Sequence, residues 1–76
     1  MHRVLDYYER PMSQALLVER FNQHFEPGEP VAVEVEEGHW RPDVIAKRAE
    51  LLKASVAVVQ LQHSGLYLLS RVRRLL

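Results

Sequence analysis

The chain has 76 residues, no cysteine, and ten basic residues balanced by ten acidic ones. A chain of this length forms one domain with a single modest core, and 47% hydrophobic with 26% charged residues is typical of a globular protein. The zero net charge argues against a strongly basic nucleic-acid module. The lack of cysteine excludes disulfides, thiolate zinc sites and cysteine nucleophiles, so we expect a reducing, cytoplasmic environment.

The sequence also has no apolar run that approaches the roughly 18 to 20 residues of a membrane span. Residues 1–6 lack the continuous apolar stretch of a signal peptide. We therefore expect no membrane association. Because small chains without disulfides often gain stability from a partner surface, we expect a protein partner, and a second copy is one candidate.

The N-terminal residues 1–11 are predicted to form an arm. Its apolar side chains alternate with charged ones, and a proline at its end breaks any helix; these residues are Val4, Leu5, Tyr7, Tyr8 and Pro11. We expect the arm to pack locally or against a partner.

A helix is predicted over residues 13–26. Ser13 can accept a hydrogen bond from an early backbone N–H and so cap the helix, and Pro27 with Gly28 ends it. Between them, apolar residues recur at helical spacing and form one stripe, which consists of Leu17, Val18, Phe21 and Phe25.

In residues 31–36, valine alternates strictly with alanine or glutamate, which predicts a half-buried strand at 31–37. Gly38 then marks a turn. The two predicted faces of the strand are Val31, Val33 and Val35 on one side and Ala32, Glu34 and Glu36 on the other.

The segment from Trp40 to Ala54 fits two different structures. As a helix, it has Pro42 at an early position and strong helix formers in its second half. As a second strand, residues 40–47 alternate after a hairpin turn at Gly38, which leaves about one helical turn for the rest.

Residues 56–62 and 66–72 are predicted to form a hairpin with His63-Ser64-Gly65 as its turn. Both strands carry apolar residues on both faces. We therefore expect both to lie centrally and to be covered on two sides, with the helix 13–26 covering one of them.

Several short motifs follow one another along the chain in a recognisable order. They are Phe21-Asn22, then Pro30-Val31-Ala32-Val33, then residues 49–59, the glycine turn at Gly65, and Leu68 or Leu69 with Val72. This order resembles a group of small proteins from proteobacterial phages and integrative elements, over roughly Gln14 to Val72. The group has Phe-Asn in a helix, Pro-Val-Gly, a Leu-Gly-Gly-His-Thr-Ala-Val-Val strand, a glycine turn and Leu-x-x-Val. Lys53-Ala54-Ser55 stands here in place of Gly-Gly-His-Thr, so a role for that histidine does not transfer.

The resemblance implies a small SH3-like barrel fronted by a helix, a strand at residues 40–47, and no particular activity. We therefore expect one α+β domain over residues 1–76. In it, the N-terminal helix packs on a four-stranded antiparallel SH3-like sheet or barrel within residues 31–74. The alternative is an αβαββ order with a second helix at residues 42–54.

The polar residues form no recognised catalytic or metal-binding motif. The four histidines are scattered without a His-x-x-x-His pair, and Ser64 lacks the Gly-x-Ser-x-Gly context of a hydrolase. The three glycines are isolated and do not form a phosphate-binding loop. We therefore expect no enzymatic activity, no cofactor and no metal.

Acidic residues concentrate just before and within the predicted strand at 31–37. Five of them lie within twelve residues that contain no Lys or Arg, and they polarise a chain that is neutral as a whole: Glu26, Glu29, Glu34, Glu36 and Glu37. The candidates for binding are Glu34, Glu36 and Glu37. They predict a docking patch for a basic protein surface, and Tyr7 with Tyr8 predict a further contact to a protein partner. Two alternative roles are self-association with the basic C-terminal end and protection of an edge strand from pairing.

A second candidate surface is basic and aromatic. It would bind nucleic acid by stacking and by phosphate contacts, and its residues are Trp40, Arg41, Arg71, Arg73 and Arg74. So few arginines supply only one or two phosphate contacts, so binding would be weak and sensitive to salt.

We therefore expect a non-enzymatic protein-interaction module. Taken with the resemblance, its sharper form is a phage- or mobile-element-encoded modulator of a host protein or nucleoprotein complex, such as an anti-defence inhibitor. The alternative is a nucleic-acid-binding accessory domain that uses the C-terminal arginines.

Overall fold

The computed structural model describes residues 11–75. The predicted arm, with Tyr7 and Tyr8, lies outside the described residues except for Pro11. In chain order the described elements are α1 (Pro11–His24), β1 (Pro30–Glu36), β2 (His39–Val44), β3 (Glu50–Leu52), β4 (Val56–Leu61), β5 (Gly65–Leu68), a 3₁₀ turn (Leu69–Arg71) and β6 (Val72–Arg74).

The helix α1 confirms the predicted helix, with each end two residues earlier than expected. The helix begins at Pro11, a residue well tolerated in a first turn, so Ser13 lies within the helix and not at the predicted N-cap position. Asn22 fixes α1 to the chain between β2 and β3: its side-chain amide donates to the carbonyl of Ala49 over 3.1 Å and accepts from that residue's N–H over 2.9 Å. The predicted apolar stripe packs against the core through Leu17, Val18, Phe21 and Phe25.

The first sheet is antiparallel, and β1 lies between β2 and β6. The strand predicted at 31–37 is confirmed, and Val31 and Val33 are fully buried. The turn into β2 has Gly38 at φ +80°, a conformation that favours glycine. Pro42 fits in β2 because this strand forms an edge of its sheet, where a missing N–H breaks no ladder.

A bulge in β1 changes the predicted alternation of its side chains. Glu34 pairs with Trp40, but Glu36 pairs with His39, so Val35 is an extra residue. Paired residues share a face, and two consecutive residues of a strand point to opposite faces. The expectation that Glu34 and Glu36 share one face is therefore wrong.

The second sheet is also antiparallel, and β4 lies between β3 and β5. The predicted turn between β4 and β5 is confirmed, with Gly65 at φ +77°. The strand predicted at 66–72 is interrupted, because the 3₁₀ turn follows β5 directly. β4 is largely buried as expected, but β5 forms an edge of the sheet and leaves Leu66 and Leu68 exposed.

The two sheets are joined where the chain passes from β2 to β3. Ile45 forms an isolated bridge to Leu61 of β4, and the N–H of Gln62 donates to the carbonyl of Val44 over 2.9 Å. The chain from β2 through β3 therefore runs beside β4. The first sheet has the order β6–β1–β2 and the second has the order β3–β4–β5. The end of β2 and the strand β3 both lie beside β4.

Two expectations about the architecture are corrected. The α+β class is confirmed, but the described residues form six strands in two three-stranded sheets, not four strands. The alternative helix at 42–54 is wrong, because β2 continues to Val44 and β3 covers Glu50–Leu52. Helix propensities differ by only about 0.7 kcal/mol per residue, so pairing with β4 outweighs the local preference.

The core lies between α1 and the inner faces of both sheets. Its buried members are Val31, Val33, Ile45, Ala49, Ala57, Val59, Leu61 and Leu69. Tyr67 packs against this core, and its hydroxyl donates to the carbonyl of Glu34 over 3.1 Å, which ties β5 to β1. Among residues 11–75, no helix has the length and apolar character needed to span a membrane.

Candidate interaction surfaces

The outer face of the second sheet is apolar. Ala57, Val59 and Leu61 of β4 belong to the core, so alternation places Val56 and Val58 on the opposite, outer face. The cross-strand pairs place three leucines on the same outer face. We call this surface the apolar face, and it consists of Leu52, Val56, Val58, Leu66 and Leu68.

Most of the apolar face is open to solvent in the described residues. Its four peripheral side chains are 37% to 47% exposed, whereas Val58 at the centre is 3% exposed. Val58 is flanked by its register partners Glu50 and Leu68 and lies outside the core cluster. Large contiguous apolar patches mark interaction sites, so the apolar face is a candidate interaction surface.

A cleft lies between α1 and β6. Its volume is about 300 Å³, which is at the small end of ligand-binding pockets. We call it the α1–β6 cleft; its apolar lining is Leu17, Phe21, Phe25, Leu69 and Val72, and its polar lining is Arg20, His24, Ser70 and Arg74.

The charged groups that line the α1–β6 cleft are all potential cations. Arg20 and His24 come from α1 and Arg74 from β6, and the lining contains no carboxylate. The guanidinium of Arg74 lies 4.9 Å from the ring centroid of Phe25, and the ring of Phe25 stacks on Phe21 at 4.6 Å. The cleft therefore combines an apolar floor with a basic rim.

The acidic residues singled out in the sequence gather at the β1–β2 hairpin, although on different faces of β1. We call Glu34, Glu36 and Glu37 the acidic hairpin. Glu34 accepts a hydrogen bond from the N–H of Gly38 over 3.0 Å. Glu36 forms an exposed ion pair of 3.4 Å with His39, and exposed pairs of this kind contribute little to stability.

The five candidates for nucleic-acid binding do not form one surface. Arg73 and Trp40 lie on the outer face of the first sheet, where the guanidinium stacks 4.0 Å above the indole. Arg74 lines the α1–β6 cleft instead. Arg41 donates to the hydroxyl of Ser64 over 3.1 Å, and Arg71 is exposed in the 3₁₀ turn.

A buried carboxylate joins the two sheets. Asp43 is 3% exposed, and its Oδ1 accepts from the N–H groups of Val44 over 2.7 Å and His63 over 3.0 Å. Its Oδ2 accepts from the N–H of Ser64 over 2.8 Å and from the Ser64 hydroxyl over 2.5 Å. These contacts hold the β4–β5 turn against the end of β2, so Ser64 has the structural role that its turn position predicts.

The hydrogen bonds of Asp43 also set its acidity. Burial alone raises the pKa of a carboxyl group, but the donors from Ser64, Val44 and His63 outweigh it and leave the pKa of Asp43 below its ordinary value of 3.8. The carboxylate is therefore ionised at neutral pH.

Two of these features have no local signal in the sequence. The role of Asp43 depends on His63 and Ser64, which lie about twenty residues further along the chain. The α1–β6 cleft depends on helix packing and has no local sequence signal. Among the described residues, no group of three or more His, Asp or Glu side chains is placed to hold a metal ion.

Comparison with known proteins adds no relative. No protein-family model, curated protein or solved structure matches the chain.

Proposed function

We propose that the protein is a non-enzymatic protein-interaction module whose apolar face is covered by a second copy of the chain. The observation that carries this proposal is the group of four side chains, 37% to 47% exposed, on the outer face of one sheet: Leu52, Val56, Leu66 and Leu68.

The composition of the apolar face favours a permanent partner. Only Glu50 and Gln60 are polar among the outward-facing residues of the paired positions in this sheet. Transient interfaces are only about as apolar as ordinary protein surface, whereas homodimer interfaces are more apolar.

The size of the chain supports the same conclusion. A 76-residue chain without cysteine has a small core and no disulfides, and oligomerisation is one of the few remaining sources of stability. A second copy also provides the same face on both sides of a two-fold axis, which is the commonest arrangement of soluble oligomers.

The oligomeric state of matched variants tests the proposal. We expect the wild-type protein to be a dimer by light scattering coupled to size exclusion, and Leu66→Lys to be a folded monomer, because a buried lysine would lack a partner charge. Val35→Lys is the control, since Val35 is similarly exposed but lies on β1. Circular dichroism checks that each variant is folded.

Two results would contradict self-association through this face. One is a wild-type protein that stays monomeric at every concentration. The other is a Leu66→Lys variant that remains as dimeric as the Val35→Lys control.

The strand order supports a finer description of the fold. The order β2–β1–β6 in one sheet and β3–β4–β5 in the other, with a 3₁₀ turn between β5 and β6, supports the SH3-like barrel fronted by a helix that the resemblance implies. We include that assignment in the proposal. An experimental structure without the 3₁₀ turn between β5 and β6 would overturn it.

The sharper hypothesis concerns a host target. In it, the acidic hairpin docks on a basic surface of a host protein or nucleoprotein complex, as a mobile-element-encoded modulator would. Affinity capture from a host lysate, with and without Glu34, Glu36 and Glu37 changed to Lys, tests this hypothesis. Equal capture by both forms removes the acidic hairpin from the mechanism.

Binding to nucleic acid is the less well supported alternative. Of its five candidate residues, only Arg73 and Trp40 lie together, and the guanidinium already covers one face of the indole. Glu34 lies on the same outer face of β1, so the surface around the pair has mixed charge. A phosphate backbone is best bound by several cations in a row.

A further inference from the structure

The α1–β6 cleft has the features of a peptide-binding groove. We propose that it binds an extended protein segment in which a large apolar side chain is flanked by acidic residues, and that this segment lies alongside β6. The proposal concerns a different surface from the apolar face and does not depend on self-association.

The floor of the cleft fits one large apolar side chain with room to spare. Its volume is about 300 Å³, and an apolar cavity of about 150 Å³ already accommodates benzene. Phe21 and Phe25 stack along one wall, and Val72 forms the other. Binding pockets are lined predominantly by apolar and aromatic side chains of this kind.

The rim of the cleft selects for acidic neighbours of the apolar anchor. Arg20 and Arg74 both line it, together with His24, and no carboxylate does. Guanidinium groups bind carboxylates through two parallel hydrogen bonds, and like-charge contacts disfavour basic partners. Charge complementarity therefore points to an acidic segment.

The position of β6 explains why the segment is extended. β6 pairs with β1 on one side, and within residues 11–75 no strand pairs with it on the other side. Ser70, Val72 and Arg74, which alternate along the chain, all line the cleft. A peptide strand added to such an edge gains main-chain hydrogen bonds and directs alternate side chains into the same cleft.

The experiment uses the full-length chain and a defined probe. The probe is a fluorescein-labelled peptide of sequence Glu-Asp-Glu-Phe-Glu-Asp-Glu, and binding is measured by fluorescence anisotropy. Titration of isotope-labelled protein, followed by nuclear magnetic resonance, locates the site. We expect saturable binding, with the largest shifts at Phe21, His24, Ser70 and Val72.

Matched variants separate the cleft from general charge attraction. We expect Arg20→Glu with Arg74→Glu to weaken probe binding by more than about tenfold, because each change removes a charge-assisted hydrogen bond. The control is Lys47→Glu with Arg48→Glu, which changes the same net charge at exposed residues outside the cleft lining. This control should retain binding within about twofold.

Three control probes define the chemistry. A peptide with serine in place of phenylalanine should bind much more weakly, and a peptide with lysine in place of every acidic residue should not bind. A single-stranded oligothymidine of equal charge should bind more weakly than the acidic peptide, because it has no side chain that fits the apolar floor.

Several results would overturn the proposal. They are no binding of the acidic peptide, equal losses in the cleft and control variants, and tighter binding of the oligothymidine, which would assign the cleft to nucleic acid. Nuclear Overhauser contacts between residues 1–10 and the cleft in the free protein would also overturn it, because the chain itself would then occupy the groove.

The two proposals fail independently of each other. Leu66→Lys should lose the dimer and keep the peptide. A monomeric wild-type protein that still binds the probe would contradict self-association alone, and a dimer that ignores the probe would contradict the cleft alone.

Discussion

The outer face of the β2–β1–β6 sheet and the outer face of the β3–β4–β5 sheet meet solvent in different ways. The first carries Trp40, Pro42 and Arg73, with the guanidinium stacked on the indole. The second carries the leucines and valines of the apolar face. Both sheets belong to one small chain with zero net charge, so overall composition does not distinguish them.

The difference is the basis for placing the proposed partner on the second sheet. In the first sheet, Arg73 covers the indole of Trp40. The stem and plane of the arginine shield the ring, while its charge stays in solvent. In the second sheet, the outward-facing leucines are 41% to 47% exposed. The arginine on the first face already covers its large aromatic side chain, whereas the proposed dimer would cover the second face. The following predictions test this contrast and the joint between the two sheets.

The largest expected effect is at the joint between the sheets. Asp43→Asn should destabilise the protein by about 2 to 4 kcal/mol near neutral pH. In the wild type, three N–H groups donate to the carboxylate. In the variant, the side-chain NH₂ is itself a donor and cannot accept from them. Urea unfolding measures this loss. Both proteins carry Leu66→Lys in this comparison, so that dissociation of a dimer does not contribute to the measured free energy of unfolding.

The pH dependence of the same variant has a defined sign. The pKa of Asp43 is lower in the fold than its ordinary value of 3.8, so its ionisation stabilises the fold above that value and the contribution disappears as the pH falls through the lowered pKa. The difference between wild type and Asp43→Asn should therefore shrink in acid. Glu37→Gln, at an exposed residue, is the control, and a difference that stays constant with pH would contradict this assignment.

A smaller effect is expected at the turn between β3 and β4, next to the apolar face. Lys53 and Ala54 have φ of 53° and 61°, a left-handed conformation that is costly for residues other than glycine and asparagine. Lys53→Asn with Ala54→Gly should stabilise the protein by about 1 kcal/mol, measured by chemical unfolding.

The control for this turn is Ala46→Gly, at a residue without positive φ. That change should lower stability, because glycine adds only unfolded-state entropy there. A loss of stability in the double turn variant would show that the left-handed backbone is not the source of strain.

The elements that the sequence predicts well are those with local signals. The stripe of Leu17, Phe21 and Phe25 defines the helix, and Gly38 and Gly65 mark turns where the backbone needs positive φ. Each signal lies within a few residues of the structure that it specifies, so no knowledge of distant contacts is needed.

The parts that the sequence does not predict depend on distant contacts. The extra residue Val35 is visible only in the register with β2, and it separates two glutamates that simple alternation places together. Asp43 acquires its role from a turn about twenty residues away. Strong helix formers after Ala46 favoured a helix, but pairing with β4 is a property of the whole fold.

The smallest expected effect tests whether the first sheet is complete within the chain. Arg73→Gln removes the cation from the ring of Trp40 and should cost about 0.5 to 1 kcal/mol, as cation–π pairs near the surface do. It should also change the fluorescence emission of Trp40, the single tryptophan of the chain. The control is Arg71→Gln, since Arg71 is exposed in the 3₁₀ turn. Because the stacked pair lies on the outer face of the other sheet, the dimer should persist in both variants. Loss of the dimer in Arg73→Gln would place the partner on the first sheet and reverse the contrast between the two faces.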